Sequence, residues 1–275
     1  MWRRLPIWAQ AVILGFIVSG VPAFVWGALA GFNLRLTPRT PWSAPLMAVL
    51  LWLYWRYLRG DGPPRRFSAV RREALRGGPL TPRVWRLALL AGGSAVAAVW
   101  ASFYALRGVL HVAPPAGDVA PFPVWTVAAM IVLGSAVAGV AEEAGFRGYM
   151  QVPLERAYGP VAAIATTSVL FTLVHLTHGP SIVVFLPFYF VVAVVYGLLA
   201  FLTGSILPSM TLHFAGDVLM FTIRYAMARH GTTGMAATAT ISPGFAVASL
   251  AFAALGVLLC RLLAREALRT HALSS

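Results

Sequence analysis

The stretch GVAEEAGFRGYM, residues 139–150, closes a long apolar run and sets Glu142, Glu143 and Arg147 close together. If that run crosses a membrane, the acids are costly. A carboxylate near the bilayer centre costs about 2.5–3.5 kcal/mol on insertion scales, so such acids usually face a bundle interior and serve a function. Composition decides for the membrane. The 275-residue chain is 59% hydrophobic and only 11% charged, and its mean hydropathy is +0.79. Soluble domains carry about a quarter of their residues as charges. The expected fold is therefore all-α: a polytopic transmembrane helix bundle forming one membrane-embedded domain over residues 1–275, with no large soluble part.

Working outward, eight apolar runs approach the roughly 20 residues a bilayer core requires. They lie near 8–30, 42–57, 85–107, 122–150, 160–177, 181–203, 207–227 and 243–264. The first has the basic start and small-residue ALA of a signal peptide. Its length and the runs that follow favour an uncleaved first span. All 21 basic residues are arginine, which hints at a GC-rich bacterial genome. If every run crosses and the N-terminus is inside, fifteen arginines fall on the inner side and five on the outer, leaving Arg147 aside. That asymmetry predicts both termini in the cytoplasm, in a bacterial inner membrane. It also accounts for the net charge of +13 without a nucleic-acid partner. Residues 58–84 form a basic cytoplasmic linker, within which FSAVRREALR reads equally as a short surface helix or a solvated loop. Cys260 has no second cysteine to pair with and reads as a packing residue.

Of eight acidic residues, Asp61, Glu73, Asp118, Glu155 and Glu266 fall in linkers or at helix ends. Glu142, Glu143 and Asp217 lie inside apolar runs. Glu143 and Arg147 are four apart and share a helical face. Glu142 points about 100° away and needs another partner. Phe171 and His175 share a face of the fifth run, and the Gly159-Pro160 turn brings His175 to about the height of Glu142 in an antiparallel pair. His213 and Asp217 share a face of the seventh run. The turn LTGSILPSM before them is uncharged and suits a recessed position, which irregular backbone tolerates when buried in protein or lining a water-filled cavity. His178 reads as an interfacial or loop residue, and His111, His230 and His271 as solvated.

One carboxylate with two histidines and a further acid suits water activation: a glutamate takes the proton, a histidine orients or shuttles it, and a second histidine donates to an oxyanion. Glutamate and two histidines equally suit zinc with water in the fourth position. Residue types do not separate the two. A proton-coupled transporter using Glu142, Glu143 and Asp217 as a relay, and an idle membrane scaffold, are the competing classes.

The three motifs in order, EEAGFR, FTLVH and HFAGD, resemble the signature EExxxR, FxxxH, Hxxx(N/D) of the CPBP family, the CAAX-protease, Abi and bacteriocin-processing intramembrane proteases. The resemblance covers residues 124–221, within a motif-bearing core at 122–227. It implies an eight-helix bundle with a cavity open to the cytoplasm, and endopeptidase action on membrane-anchored, lipidated or C-terminal peptide segments in contact with membrane lipid. It implies that Glu142 and His175 activate water and that His213 with residue 217 forms the oxyanion site. Glu143, Arg147 and Phe171 play supporting parts. The favoured mechanism needs no metal; a zinc enzyme would use Glu142, His175 and His213. Aspartate at 217, where prenyl-protein proteases usually carry asparagine, points to Asp217 orienting His213 through a ring N–H.

Overall fold

The structure, a computed structural model, describes residues 2–110, 121–178, 180–229 and 241–272, and all regular elements among them are helical. Asp118, His111 and His230 lie outside the described residues, as do the side chains of His178 and His271. The α-helices are α1 (Ile7–Leu36), α2 (Ser43–Leu58), α3 (Ser68–Leu75), α4 (Pro82–Leu110), α5 (Val124–Glu142), α6 (Gln151–Tyr158), α7 (Pro160–Val174), α8 (Leu186–Thr203), α9 (Leu207–Arg229) and α10 (Pro243–Ala272). A π-helical segment, Glu143–Met150, joins α5 to α6.

Each of the eight expected runs is helical, and six helices among the described residues are long and apolar enough to cross a membrane. They are α1, α4, α5 with its continuation to Tyr158, α7, α8 and α10. With 16 residues, α2 rises about 24 Å, short of a roughly 30 Å hydrocarbon core. Asp217, Arg224 and Arg229 interrupt α9. The spans turn large apolar side chains outward, with Phe24 77% and Val161 80% exposed. No water-soluble fold tolerates such continuous apolar exposure. The chain is an integral membrane protein.

Contacts divide it into two compact units. The first comprises Met1–Gly77, Ala116–Ala157 and Met210–Thr233. Its organising element is α1, whose buried face reads Ala11, Gly15, Ser19, Pro22. Lipid tails are as apolar as leucine, so membrane helices associate through small residues that let backbones approach. Here the approach is extreme. A Cβ on Gly145 of the π segment would stand 2.6 Å from the Gly15 carbonyl oxygen and 2.8 Å from Ser19 Cβ. Phe16 and Phe146 pack edge to face beside it, centroids 5.8 Å apart. Buried Asn33 pins the α1–α2 turn: its amide donates to the carbonyls of Thr37 and Thr40, and its oxygen accepts from the backbone and hydroxyl of Ser43. The start of α5 docks on that turn, as Trp125 and Thr126 donate to the carbonyls of Arg39 and Pro38.

The linker is folded, not a solvated loop. Arg71 is buried and donates to the carbonyls of Tyr57, Gly62 and Pro64. Its guanidinium lies 4.5 Å over the Tyr57 ring. The helix it anchors, α3, clasps the motif helix from outside. A Cβ on Gly148 would meet the Ala74 carbonyl at 2.8 Å, while Arg76 pairs with Glu155 and Glu73 with Arg156. Of the five acids assigned to linkers and helix ends, two, Glu73 and Glu155, thus fasten α3 to α6.

The second unit comprises Gly78–Pro115, Tyr158–Ser209 and Gly234–Ser275. Within it α4 and α10 run antiparallel. Ser242 N–H donates to Ala105, the Ser102 and Ser249 hydroxyls meet at 2.6 Å, and a Cβ on Gly256 would stand 3.3 Å from Ala95 N. Aromatic rings join α4 to α8 and its approach: Trp100 to Phe188 at 5.0 Å and Phe103 to Phe185 at 5.1 Å. The uncharged turn before α9 is buried in protein, with Ser205 1% and Ile206 0% exposed. Two hydroxyls there donate to backbone: Thr203 to the carbonyls of Leu199 and Ser205, and Ser205 to the distant carbonyl of Gly78.

The close approach of α1 sets a test. Gly145→Ala forces backbone or Ser19 to move, an overpacking cost of about 1–3 kcal/mol. Gly20→Ala, where nothing lies within 4 Å, is neutral or mildly stabilising in a helix. Thermal unfolding in detergent separates them, and equal midpoints would refute the tight crossing.

Candidate functional site

The π segment carries the first motif except Glu142, which ends α5. π turns are rare, mostly single-turn and frequent at functional sites; this one runs eight residues. Its sequence suits a widened turn. Gly145 and Gly148 let neighbours press against the backbone, and Pro153 removes an i→i−4 bond and crowds the carbonyl four residues before it. The α-helical geometry expected for Glu143 to Arg147 therefore does not hold. The pairing does: Arg147 Nη1 lies 3.2 Å from Glu143 Oε1, both side chains almost fully buried.

Glu143 has a second partner that the sequence did not disclose. His213 Nδ1 lies 2.9 Å from Glu143 Oε1. A carboxylate only accepts, so the ring donates its Nδ1–H. Asp217, expected to orient His213 through a ring N–H, sits instead by the other nitrogen, Oδ2 3.6 Å from Nε2. That is beyond hydrogen-bond range. Glu142 Oε2 faces the same nitrogen at 3.8 Å. Glu142, Glu143, Arg147, His213 and Asp217 thus form one cluster on α5, the π segment and α9.

Gly139 makes the cluster geometrically possible. A Cβ there would meet the Met210 carbonyl at 3.1 Å and Phe214 at 3.4 Å. Its lack of a side chain lets α5 lie against α9 four residues ahead of Glu143. The signal was present in the quoted stretch, as a glycine four before the second glutamate.

Exposure sorts the cluster. Glu143 and Arg147 side chains are 0% and 1% exposed, while those of Glu142 and Asp217 are 26% and 21% exposed. The sealed pair braces, and the accessible acids can meet a ligand. Among the described residues of either unit, no three His, Cys, Asp or Glu side chains are arranged to hold one metal ion.

His175 belongs to the second unit. It caps the C-terminus of α7 and opens a 3₁₀ turn, His175–His178, so it ends the helix and does not lie within it. Its Nδ1 lies 2.7 Å from the Phe171 carbonyl oxygen, which fixes the proton on Nδ1 and leaves the lone pair of the neutral ring on Nε2. Its ring stacks on Tyr189 at 3.9 Å and tilts against Phe171 at 4.7 Å. The FxxxH spacing thus works through both the ring and the carbonyl of Phe171. Tyr189, on α8, was not foreseen.

Polar and charged side chains gathered in the helices of an integral membrane protein are the mark of membrane-embedded enzymes and carriers. Comparison narrows the class. Residues 123–219 match the family model described as type II CAAX prenyl endopeptidase, Rce1-like. The match spans all three motifs and about a third of the chain, and supports a CAAX-type protease of the CPBP family. No curated protein and no solved structure matches.

The buried brace predicts a stability pattern. Arg147→Met leaves the Glu143 carboxylate buried without its guanidinium partner and costs about 3–5 kcal/mol. Adding Glu143→Gln to Arg147→Met recovers part of that loss. Unfolding in detergent of both single variants and the double measures the coupling; additive losses would mean that the pair is not coupled.

Proposed function

We propose that the chain is an intramembrane endopeptidase in which Glu142 is the general base. The carrying observation is the division of the two adjacent glutamates. Glu143 is sealed between Arg147 and His213, while Glu142 keeps an accessible carboxylate 3.8 Å from His213 Nε2.

In this reading Glu142 takes a proton from water as the water oxygen attacks the scissile carbonyl. It then returns that proton to the departing amine. His175, with its lone pair fixed on Nε2 by the Phe171 carbonyl, accepts a hydrogen bond from the water and orients it. His213 donates from Nε2 to the developing oxyanion. Its Nδ1–H is already committed to Glu143, so that role requires the imidazolium, held between Glu143 and Asp217. Asp217 serves as counter-charge at Nε2, and an ionised aspartate cannot itself donate to the oxyanion. Arg147 neutralises the acid that His213 leans on.

Zinc is the second reading, favoured by one observation. Both histidines spend Nδ1 on a fixed acceptor, as metal-ligating histidines do. The donor types fit: Glu142, His175 and His213 would hold the ion, which would lower the pKa of bound water. No step above depends on it.

The proposed substrate is a membrane-anchored or lipidated peptide segment. The proposed topology has all eight runs crossing a bacterial inner membrane, with both termini and the site facing the cytoplasm. The arginine asymmetry and the family match support it.

The experiment is peptide cleavage by the purified protein in detergent. Glu142→Gln and His175→Ala should each lower kcat by roughly 10²–10⁴, the usual weight of a general acid–base group, while exposed Glu73→Gln retains activity. Cleavage by Glu142→Gln at the parent rate removes the assignment. Stoichiometric zinc in the parent, lost in His213→Ala, transfers the mechanism to the second reading.

A further inference from the structure

At one end of the α4–α10 pair lies a cleft of about 380 Å³, within the range of roughly 300–1,000 Å³ typical of small-ligand sites. Its walls are two helical faces. On α4 they are Arg83, Arg86, Leu87 and Leu90; on α10, Leu262, Arg265, Glu266 and Arg269. The spacing on each helix follows the i, i+3, i+4, i+7 pattern that brings side chains onto one stripe.

Three observations agree on what fits. The cleft lies where two spans end, since the α4 span begins at Pro82 and the α10 span ends at Arg269. Its outer end is strongly basic, with four arginines against one glutamate, and Glu266 is already engaged by Arg83 at 3.3 Å. Its inner end is apolar and open: Leu90 is 57% and Leu262 39% exposed. Arg86 is steadied by a bond from Nε to the Pro82 carbonyl, so its guanidinium is held at the rim.

We propose that this cleft binds an anionic phospholipid. The phosphate diester sits among Arg86, Arg265 and Arg269, and an acyl chain lies along Leu87, Leu90 and Leu262. Arginine matches phosphate through paired N–H donors, and the forked guanidinium keeps its geometry better than an ammonium. Basic pockets between membrane helices are a recurrent form of lipid headgroup site. A soluble anion would satisfy the arginines but leave the leucine end unused. The lipid uses both.

The test uses the purified full chain in dodecylmaltoside and reads its thermal midpoint and its titration by dioleoyl phosphatidylglycerol. Dioleoyl phosphatidylcholine and inorganic phosphate are the parallel probes. Phosphatidylglycerol should bind saturably and raise the midpoint. Phosphatidylcholine at equal concentration should not, and inorganic phosphate should compete only weakly. Arg265→Gln with Arg269→Gln should weaken binding about 25-fold, and Arg86→Gln alone about fivefold, taking about fivefold per arginine near an anionic lipid. Arg224→Gln with Arg229→Gln, exposed on α9, should leave binding unchanged. If the α9 pair weakens binding as much, the effect is diffuse charge and the site is refuted. Equal binding of phosphatidylcholine refutes it too, and full competition by inorganic phosphate shows an anion site without lipid specificity. The single Arg86→Gln variant keeps the test decisive if the double variant is unstable.

Discussion

One carboxylate with no access to solvent joins the first and third motifs. Glu143 accepts from His213 across the interface between the π segment and α9, and is balanced along its own helix by Arg147. In an apolar bundle such a group is costly unless fully partnered. The neighbouring architecture serves that requirement. Gly139 lets α9 come near enough for His213 to reach, and Gly145 lets α1 close over the segment. From outside, α3 grips the following helix through two ion pairs. Remove the interaction and Glu142 loses the scaffold that points it at an accessible space.

Both histidines give Nδ1–H to a fixed acceptor, but the acceptors differ in kind. His213 gives its Nδ1–H to a carboxylate, His175 to a backbone carbonyl freed at the end of α7. A carbonyl is a fixed dipole, whereas a carboxylate carries a full charge that stabilises imidazolium. The first suits a ring that stays neutral and accepts, the second a ring that donates from both nitrogens. Tyr189 adds a flat wall that leaves the His175 ring little freedom to flip.

Much of this was legible in the sequence because membrane helices advertise themselves through long apolar runs, and because any charge inside them stands out. The Glu143–Arg147 pair, the Phe171–His175 contact and the helicity of the eight apolar runs all follow from local spacing. What spacing could not show was tertiary. The His213–Glu143 bond joins residues 70 positions apart, and local spacing offered Asp217 as the closer candidate. The folding of the basic linker hinges on Arg71 finding three carbonyls, a choice invisible in a run of arginines that otherwise reads as solvated. The π segment was hidden because it keeps the i, i+4 pair together and so mimics the α-helix it replaces.

That mimicry has a consequence for how the segment tolerates change in length. A π turn closes i to i+5, so it stores one residue more per hydrogen-bonded ring than an α turn. Deleting a single residue between Glu143 and Met150 would let the backbone relax into an ordinary α-helix without breaking the chain of hydrogen bonds. The helix would survive. Yet the side chains inside the segment would be respaced, because an α turn rotates further per residue than a π turn, so Gly145 and Gly148 would no longer face α1 and α3 together. The spacing of this motif is thus a property of its backbone winding, and the segment is robust as a helix while being brittle as a site.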